Sequence, residues 1–145
     1  MDFILDPFPL WTTLGDKLRP IFADPSKVKV LHGSDSDIIW LQRDFGLYVV
    51  NMFDTGQASR VLEKKSHKLS TLLSDYCGVI ADKKYQLADW RQRPLTEEML
   101  KYAREDTHFL LYVYDCLRNE LVEAGKLEQA IRRSQQVALQ SYNKP

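Results

Sequence analysis

The chain has 145 residues, 44% hydrophobic and 11% aromatic, with 20 basic and 20 acidic residues and a formal net charge of zero. Such a length and apolar content fit one globular domain able to bury a core and exclude a disordered or fibrous chain. Its apolar runs fall far short of the roughly 20 residues of a bilayer-spanning helix, and Met1-Asp2-Phe3-Ile4-Leu5-Asp6 lacks the basic start of a secretory signal, so a soluble intracellular protein is expected.

Phe3-Ile4-Leu5 reads as a short strand ended by Asp6-Pro7, and Thr13 to Ala23 as a helix bent at Pro20. Val28-Lys29-Val30-Leu31 is a second strand closed by His32-Gly33, Asp35 to Asp44 a helix, and Tyr48 to Phe53 a third strand rich in β-branched and aromatic residues. Strand, helix, strand in this rhythm predicts an α/β layout with parallel pairing. Asp54-Thr55 starts a helix to about Leu62, with Asp54 most simply its N-cap. Leu69 to Cys77 forms another, ended by Gly78.

The second half is helical. Thr96-Glu97-Glu98 opens a long helix whose Leu100, Ala103, Thr107, Leu110, Tyr114, Leu117 and Leu121 repeat at three-and-four spacing. Gly125 ends it, Leu127 begins a final helix, and the polar end from Ser134 to Pro145 is expected to fray. Cys77 and Cys116 lack a C-x-x-C spacing and sit in apolar settings, which reads as two reduced thiols.

Charge is unevenly spread. Arg60 to Arg93 carries eight Lys/Arg against four acids, and Pro94 to Gly125 three against seven. The basic stretch fits either a phosphate-facing rim or an ordinary solvated face.

Chemistry concentrates in two segments. Tyr102 and Asp106 are four residues apart and project from one side of the long helix, at the border of its apolar stripe; a surface acid paired with Arg or Lys is the competing reading. Asp37 falls in the first turn of a helix just after a strand, in the crevice where α/β proteins place ligands. Either Asp35 or Asp37 could cap that helix, and with two available Asp35 can cap while Asp37 points into the crevice.

The runs His32-Gly33 through Asp37-Ile38-Ile39-Trp40-Leu41-Gln42 to Phe53-Asp54-Thr55, then Tyr85-Gln86-Leu87-Ala88-Asp89-Trp90-Arg91-Gln92-Arg93-Pro94-Leu95, then Tyr102-Ala103-Arg104-Glu105-Asp106-Thr107-His108, resemble the DEDD-type 3′–5′ exonucleases of the ribonuclease D group, tyrosine subclass. Their wording is nearest the exoribonucleases associated with the nuclear exosome. The resemblance implies a ribonuclease H-like exonuclease fold over residues 1–124, here lacking the first two strands, followed by a C-terminal helix and tail over 125–145. It implies hydrolysis of RNA from the 3′ end with two Mg²⁺ ions, Mn²⁺ being an alternative, because hard cations suit carboxylate oxygens and neutralise both ends of the displacement.

By motif, the resemblance makes Asp37 and Asp106 metal-binding catalytic carboxylates and Tyr102 the hydroxyl that orients the attacking water. Trp40 would pack on the 3′-terminal nucleotide, with helix-to-sheet packing as its alternative. Lys83 would lie near that nucleotide's phosphate and His67 at the rim. The Asp89 to Leu95 block is read as structural, its arginines tying the loop to helix carboxylates. The implied partners are a single-stranded RNA 3′ end and the nuclear exosome core, with no membrane, and the implied location is the nucleus and nucleolus.

One departure stands out: the family's first motif, Asp-x-Glu, is absent, so two of four ligands are missing. In the family fold that motif's strand lies between the strands resembling Phe3-Ile4-Leu5 and Val28 to Leu31, which here have no shared neighbour. A piece of a longer nuclease, or a chain completed in trans, is expected, and this stretch alone should be inactive. The reading from a different class is a non-catalytic nuclease-like module that binds RNA or an exosome-like partner through the basic segment and Trp40.

Overall fold

The computed structural model describes residues 1–145. Two short parallel strands, β1 (Lys29–Leu31) and β2 (Met52–Asp54), pair in the register Lys29 to Met52, Val30 to Phe53 and Leu31 to Asp54. The crossover between them is the helix Asp35–Phe45, which is α3 in a series that begins with α1 (Pro7–Leu10) and α2 (Leu14–Phe22). This is the parallel α/β unit expected from the strand-helix-strand rhythm.

Both strands are shorter than their sequences suggest. Tyr48 to Val50 stay outside the ladder because Asn51 takes a left-handed φ of 59° and the Val50 N–H is given to the Phe22 carbonyl at 2.9 Å. Phe3-Ile4-Leu5 forms no strand at all, correcting that expectation. Extended backbone becomes a strand only when a neighbour takes its hydrogen bonds, and here none does: Phe3 is 79% exposed, and the segment is tied only at its ends, by Asp2 to His108 at 2.5 Å and by Asp6 to Arg93.

The remaining elements are helical: α4 (Thr55–Val61), α5 (Leu69–Cys77), a 3₁₀ turn at Lys83–Leu87, α6 (Glu97–His108), α7 (Leu110–Glu123) and α8 (Leu127–Ala138). Thr96 caps α6 by accepting the Met99 N–H at 3.1 Å, as the Thr-Glu-Glu start implies. The single long helix expected from Thr96 to Gly125 is instead two, broken at Phe109, whose ring packs against the main core and stands edge-on to His108. The apolar stripe is continuous only in α7, where Leu110, Val113, Leu117 and Leu121 are buried; Leu100 and Ala103 are half-exposed and Thr107 lies in solvent.

Of the buried α7 residues, Val113, Leu117 and Leu121 pack with Phe53, Ala58, Val61, Leu72, Leu73 and Ala130 in the main core, each fully buried aliphatic contributing about 1.5–3 kcal/mol. A smaller cluster joins Ile38, Val49, Met52 and Val137 beneath α3. α8 thus serves both cores, and the fraying expected from Ser134 onward does not occur there. Ser134 is fully buried and its Oγ accepts the Asp54 N–H at 2.9 Å. Beyond α8, Gln42 donates to the Gln140 carbonyl at 2.7 Å and accepts the Tyr142 N–H at 2.8 Å, which holds the tail on α3. No helix is long and apolar enough to cross a membrane, and Cys77 and Cys116 are free thiols.

Candidate functional site

The turn between β1 and α3 is built around a carboxylate, and it is not one of the two acids on α3. Ser34, rather than Asp35, occupies the N-cap position. Asp35 instead accepts from Gln140 Nε2 at 3.2 Å. The Ser34 hydroxyl does not cap; it donates to Asp54 Oδ2 at 2.6 Å. Asp54 is fully buried and also accepts the N–H groups of Gly33 (3.1 Å), Ser34 (2.8 Å) and Gln57 (3.0 Å). The Gln57 bond is the α4 N-cap anticipated from the sequence; the other three tie α3 to β2.

Asp37 projects from the turn so held. It lines a cleft of about 330 Å³ with Leu31, Trp40, Leu41, Asp44 and Phe45. Trp40 is 51% exposed, so its ring is open rather than packed into the sheet. The Asp37 side chain is half-buried and takes part in no hydrogen bond or ion pair. Burial, and secondarily the charge of Asp54, push its carboxyl above the ordinary 3.8.

Asp106 and Tyr102 share a second, larger cleft of about 540 Å³ with Tyr85, Gln86, Trp90, Ala103 and Thr107. The Tyr102 ring lies against Tyr85 at 5.6 Å and Trp90 at 6.0 Å between centroids, and Trp90 Nε1 donates to the Tyr85 carbonyl at 3.0 Å. Asp106 is likewise half-buried with no hydrogen-bond or ion-pair partner, and burial, then Glu105, raises its pKa. The alternative of a surface acid paired with Arg or Lys does not describe it. Burial, then the charge of Asp106, raises the Tyr102 phenol, with neighbouring Gln86 acting in the opposite direction.

The two clefts have no lining residue in common, and nowhere do three His, Cys, Asp or Glu side chains gather around one point. Asp37 and Asp106 offer the hard oxygen donors that a divalent cation takes and are free to do so. In kind these donors fit Mg²⁺; in number they are two.

His67 Nδ1 meets Ser59 Oγ at 3.0 Å, and because that hydroxyl donates to the Gly56 carbonyl at 2.7 Å, the ring must donate to it. Lys83 opens the 3₁₀ turn in solvent and lines neither cleft. Of the eight basic residues from Arg60 to Arg93, Lys64, Lys84, Arg91 and Arg93 are engaged by Glu120, Asp82, Asp89 and Asp6. Arg60, Lys65, Lys68 and Lys83 carry no acid partner. Arg93 ties its loop to Asp6, the N-cap of α1, through Nε at 2.8 Å and Nη2 at 3.0 Å, while Arg91 pairs only within the loop.

Sequence reasoning left the Asp54 hub at a single cap and gave His32 no role. The ring of His32 meets Thr55 Oγ1 at 2.8 Å, and that hydroxyl is given to the Leu31 carbonyl at 3.2 Å. Tyr85 and Trp90 as walls of the Tyr102 cleft were also unforeseen, although an aromatic pair flanking a tyrosine motif is a signal that could have found them.

A family model described as 3′–5′ exonuclease matches residues 2–122. The chain is 55% identical to Protein RRP6-like 1 of Arabidopsis thaliana and 53% identical to Exosome complex component 10 of Homo sapiens, in each case over 99% of its length. It spans 24% and 17% of those two proteins. Among solved structures, the catalytic core of RRP6 from Trypanosoma brucei superimposes with a TM-score of 0.96 at 44% identity, over 100% of this chain and 40% of that one. Escherichia coli RNase D, an exoribonuclease, matches with a TM-score of 0.82 at 28% identity, over 88% of this chain and 34% of that one.

Proposed function

This chain belongs to the 3′–5′ exonuclease family, and on that premise we propose that it supplies part of the active site of an exoribonuclease that removes nucleotides from RNA 3′ ends. The observation that carries the reading is a matched pair: Asp37 and Asp106 are both half-buried, both raised in pKa by burial, and both without a cationic or hydrogen-bonding partner. Desolvated carboxylates left uncompensated in a cleft are candidates for functional groups.

In this proposal Asp37 and Asp106 hold Mg²⁺ or Mn²⁺. When bound, such ions supply Lewis-acid neutralisation of the attacked phosphate and the departing 3′ oxygen. Tyr102, held against Tyr85 and Trp90 and kept protonated by burial and by Asp106, orients water through a neutral hydroxyl rather than a phenolate. Trp40 offers an open ring to the terminal base. Lys83 approaches the phosphate and His67 stands at the rim. The proposed partner is the nuclear exosome core and the proposed setting the nucleus and nucleolus, by likeness to relatives named as exosome components.

Two carboxylates do not make a two-ion site, which keeps a second reading open: a non-catalytic module that binds RNA or an exosome partner. One experiment separates them. The full-length protein containing this chain is given 5′-labelled single-stranded RNA with Mg²⁺ or with EDTA. Stepwise shortening from the 3′ end in Mg²⁺ alone supports the enzyme, and binding without shortening supports the module. The 145-residue chain by itself is expected to shorten RNA poorly or not at all, and brisk Mg²⁺-dependent release of mononucleotides would contradict that.

A further inference from the structure

We propose that Asp54 is a positioning residue for the proposed site, fixing through its buried carboxylate the turn of α3 that presents Asp37 and Trp40. The inference rests on the nuclease reading and deepens it. Oδ1 takes the N–H groups of Gly33 and Gln57, and Oδ2 takes the N–H and hydroxyl of Ser34. Four donors on one fully buried carboxylate leave it no freedom. A simple N-cap requires only the Gln57 bond; the other three reach across 20 or 21 residues to the strand-helix turn.

The surroundings are shaped to this arrangement. At Gly56 an added Cβ would stand 3.0 Å from Asp54 Oδ1 and 3.3 Å from the Gly33 nitrogen, closer than ordinary van der Waals contact, so glycine spares the bond between them that crowding. The Asp54 N–H is anchored on Ser134 of α8, and His32, Thr55 and the Leu31 carbonyl close the other side of the turn. The carboxylate therefore joins the β1–α3 turn to the start of α4 while α8 holds the same residue by its backbone, and Asp37 stands three residues beyond Ser34. The charge of Asp54 is satisfied by these donors and does not serve as a cation ligand.

Asp54→Asn tests this, because the amide is nearly isosteric but must turn an NH₂ toward either Ser34 or the Gly33 and Gln57 amides, setting donor against donor. In the full-length protein, backbone amides from Gly33 to Ile38 are expected to exchange faster while those of α7 stay protected. The Mg²⁺ concentration for half-maximal RNA shortening is expected to rise about 10- to 100-fold, as for loss of a group that orients a metal ligand. A lowered melting temperature with an unchanged Mg²⁺ requirement would make Asp54 merely structural and overturn the proposal. Should Asp54→Asn fail to fold, Ser34→Ala removes the hydroxyl bond alone. The same pattern at smaller amplitude supports the proposal and no change overturns it. If the wild-type protein does not shorten RNA, the nuclease reading fails on its own, and amide exchange at Gly33 to Ile38 still decides whether Asp54 positions the turn.

Discussion

Asp37 and Asp106 share a chemistry and differ in what holds them. Asp37 stands on a helix whose start is bonded to the buried Asp54, whose next residue Ile38 is 1% exposed, and whose end is closed by Gly46 at a φ of 60°. Asp106 stands on α6, where Met99 is the only buried residue, and its neighbour Tyr102 leans on Tyr85 and Trp90 from an exposed 3₁₀ turn and the loop after it. The first carboxylate is placed by a satisfied polar network over a core; the second by an aromatic stack at the surface. Networks of buried hydrogen bonds resist local opening, whereas helices with few buried contacts open at low cost. The two halves of the proposed site should therefore fail in different ways.

Breaking the firm half through its core gives the largest effect. Ile38→Ala should cost about 2–5 kcal/mol of stability, read by chemical denaturation of the isolated chain. Tyr102→Phe probes the soft half differently, since the ring stack survives and only the hydroxyl is lost. Melting should be unchanged within about 0.5 kcal/mol, while RNA shortening by the full-length protein slows about a hundredfold or more. Gly15→Ala strains the rear of the firm half, because a Cβ there would stand 2.4 Å from the Phe45 carbonyl oxygen at the end of α3; a loss of about 1–3 kcal/mol is expected.

Asp37→Asn should have the smallest effect on stability, and of opposite sign. Burial raises the Asp37 carboxyl above 3.8, so the ionised group costs stability at neutral pH and the protonated group does not. In EDTA the variant should melt higher than wild type at pH 7. The gain should shrink as the pH falls through the raised pKa and vanish below 3.8. A variant that melts lower at pH 7 would show that the carboxylate has a stabilising partner.

Much of this layout was legible in the residues. The parallel strand-helix-strand unit, the Gly78 terminus, the Thr96 cap and the apolar periodicity of α7 depend on local chemistry and near-neighbour spacing. What escaped depends on distant chain. Phe3-Ile4-Leu5 has strand composition without a partner, and pairing is not a property of one segment. The break falls at Phe109, whose ring packs against the core and which periodicity alone treats as one more apolar position. The tail looked frayed because Ser134 and Gln140 are polar, yet their partners Asp54, Asp35 and Gln42 lie some 80 to 105 positions earlier. At the site, Asp37, Tyr102 and Asp106 were picked out by motif, while the hub that sets the first of them was visible only as an N-cap.

The pairing of Asp37 with Asp106 in one active site is tested most directly by Asp37→Asn and Asp106→Asn in the full-length protein, with release of 3′-terminal nucleotides followed in Mg²⁺ under single-turnover conditions. Both variants should fold and bind RNA, and each should release nucleotides at least about a hundredfold more slowly, the loss expected when several kcal/mol of charge stabilisation is removed. Release at the wild-type rate by either variant would contradict the assignment.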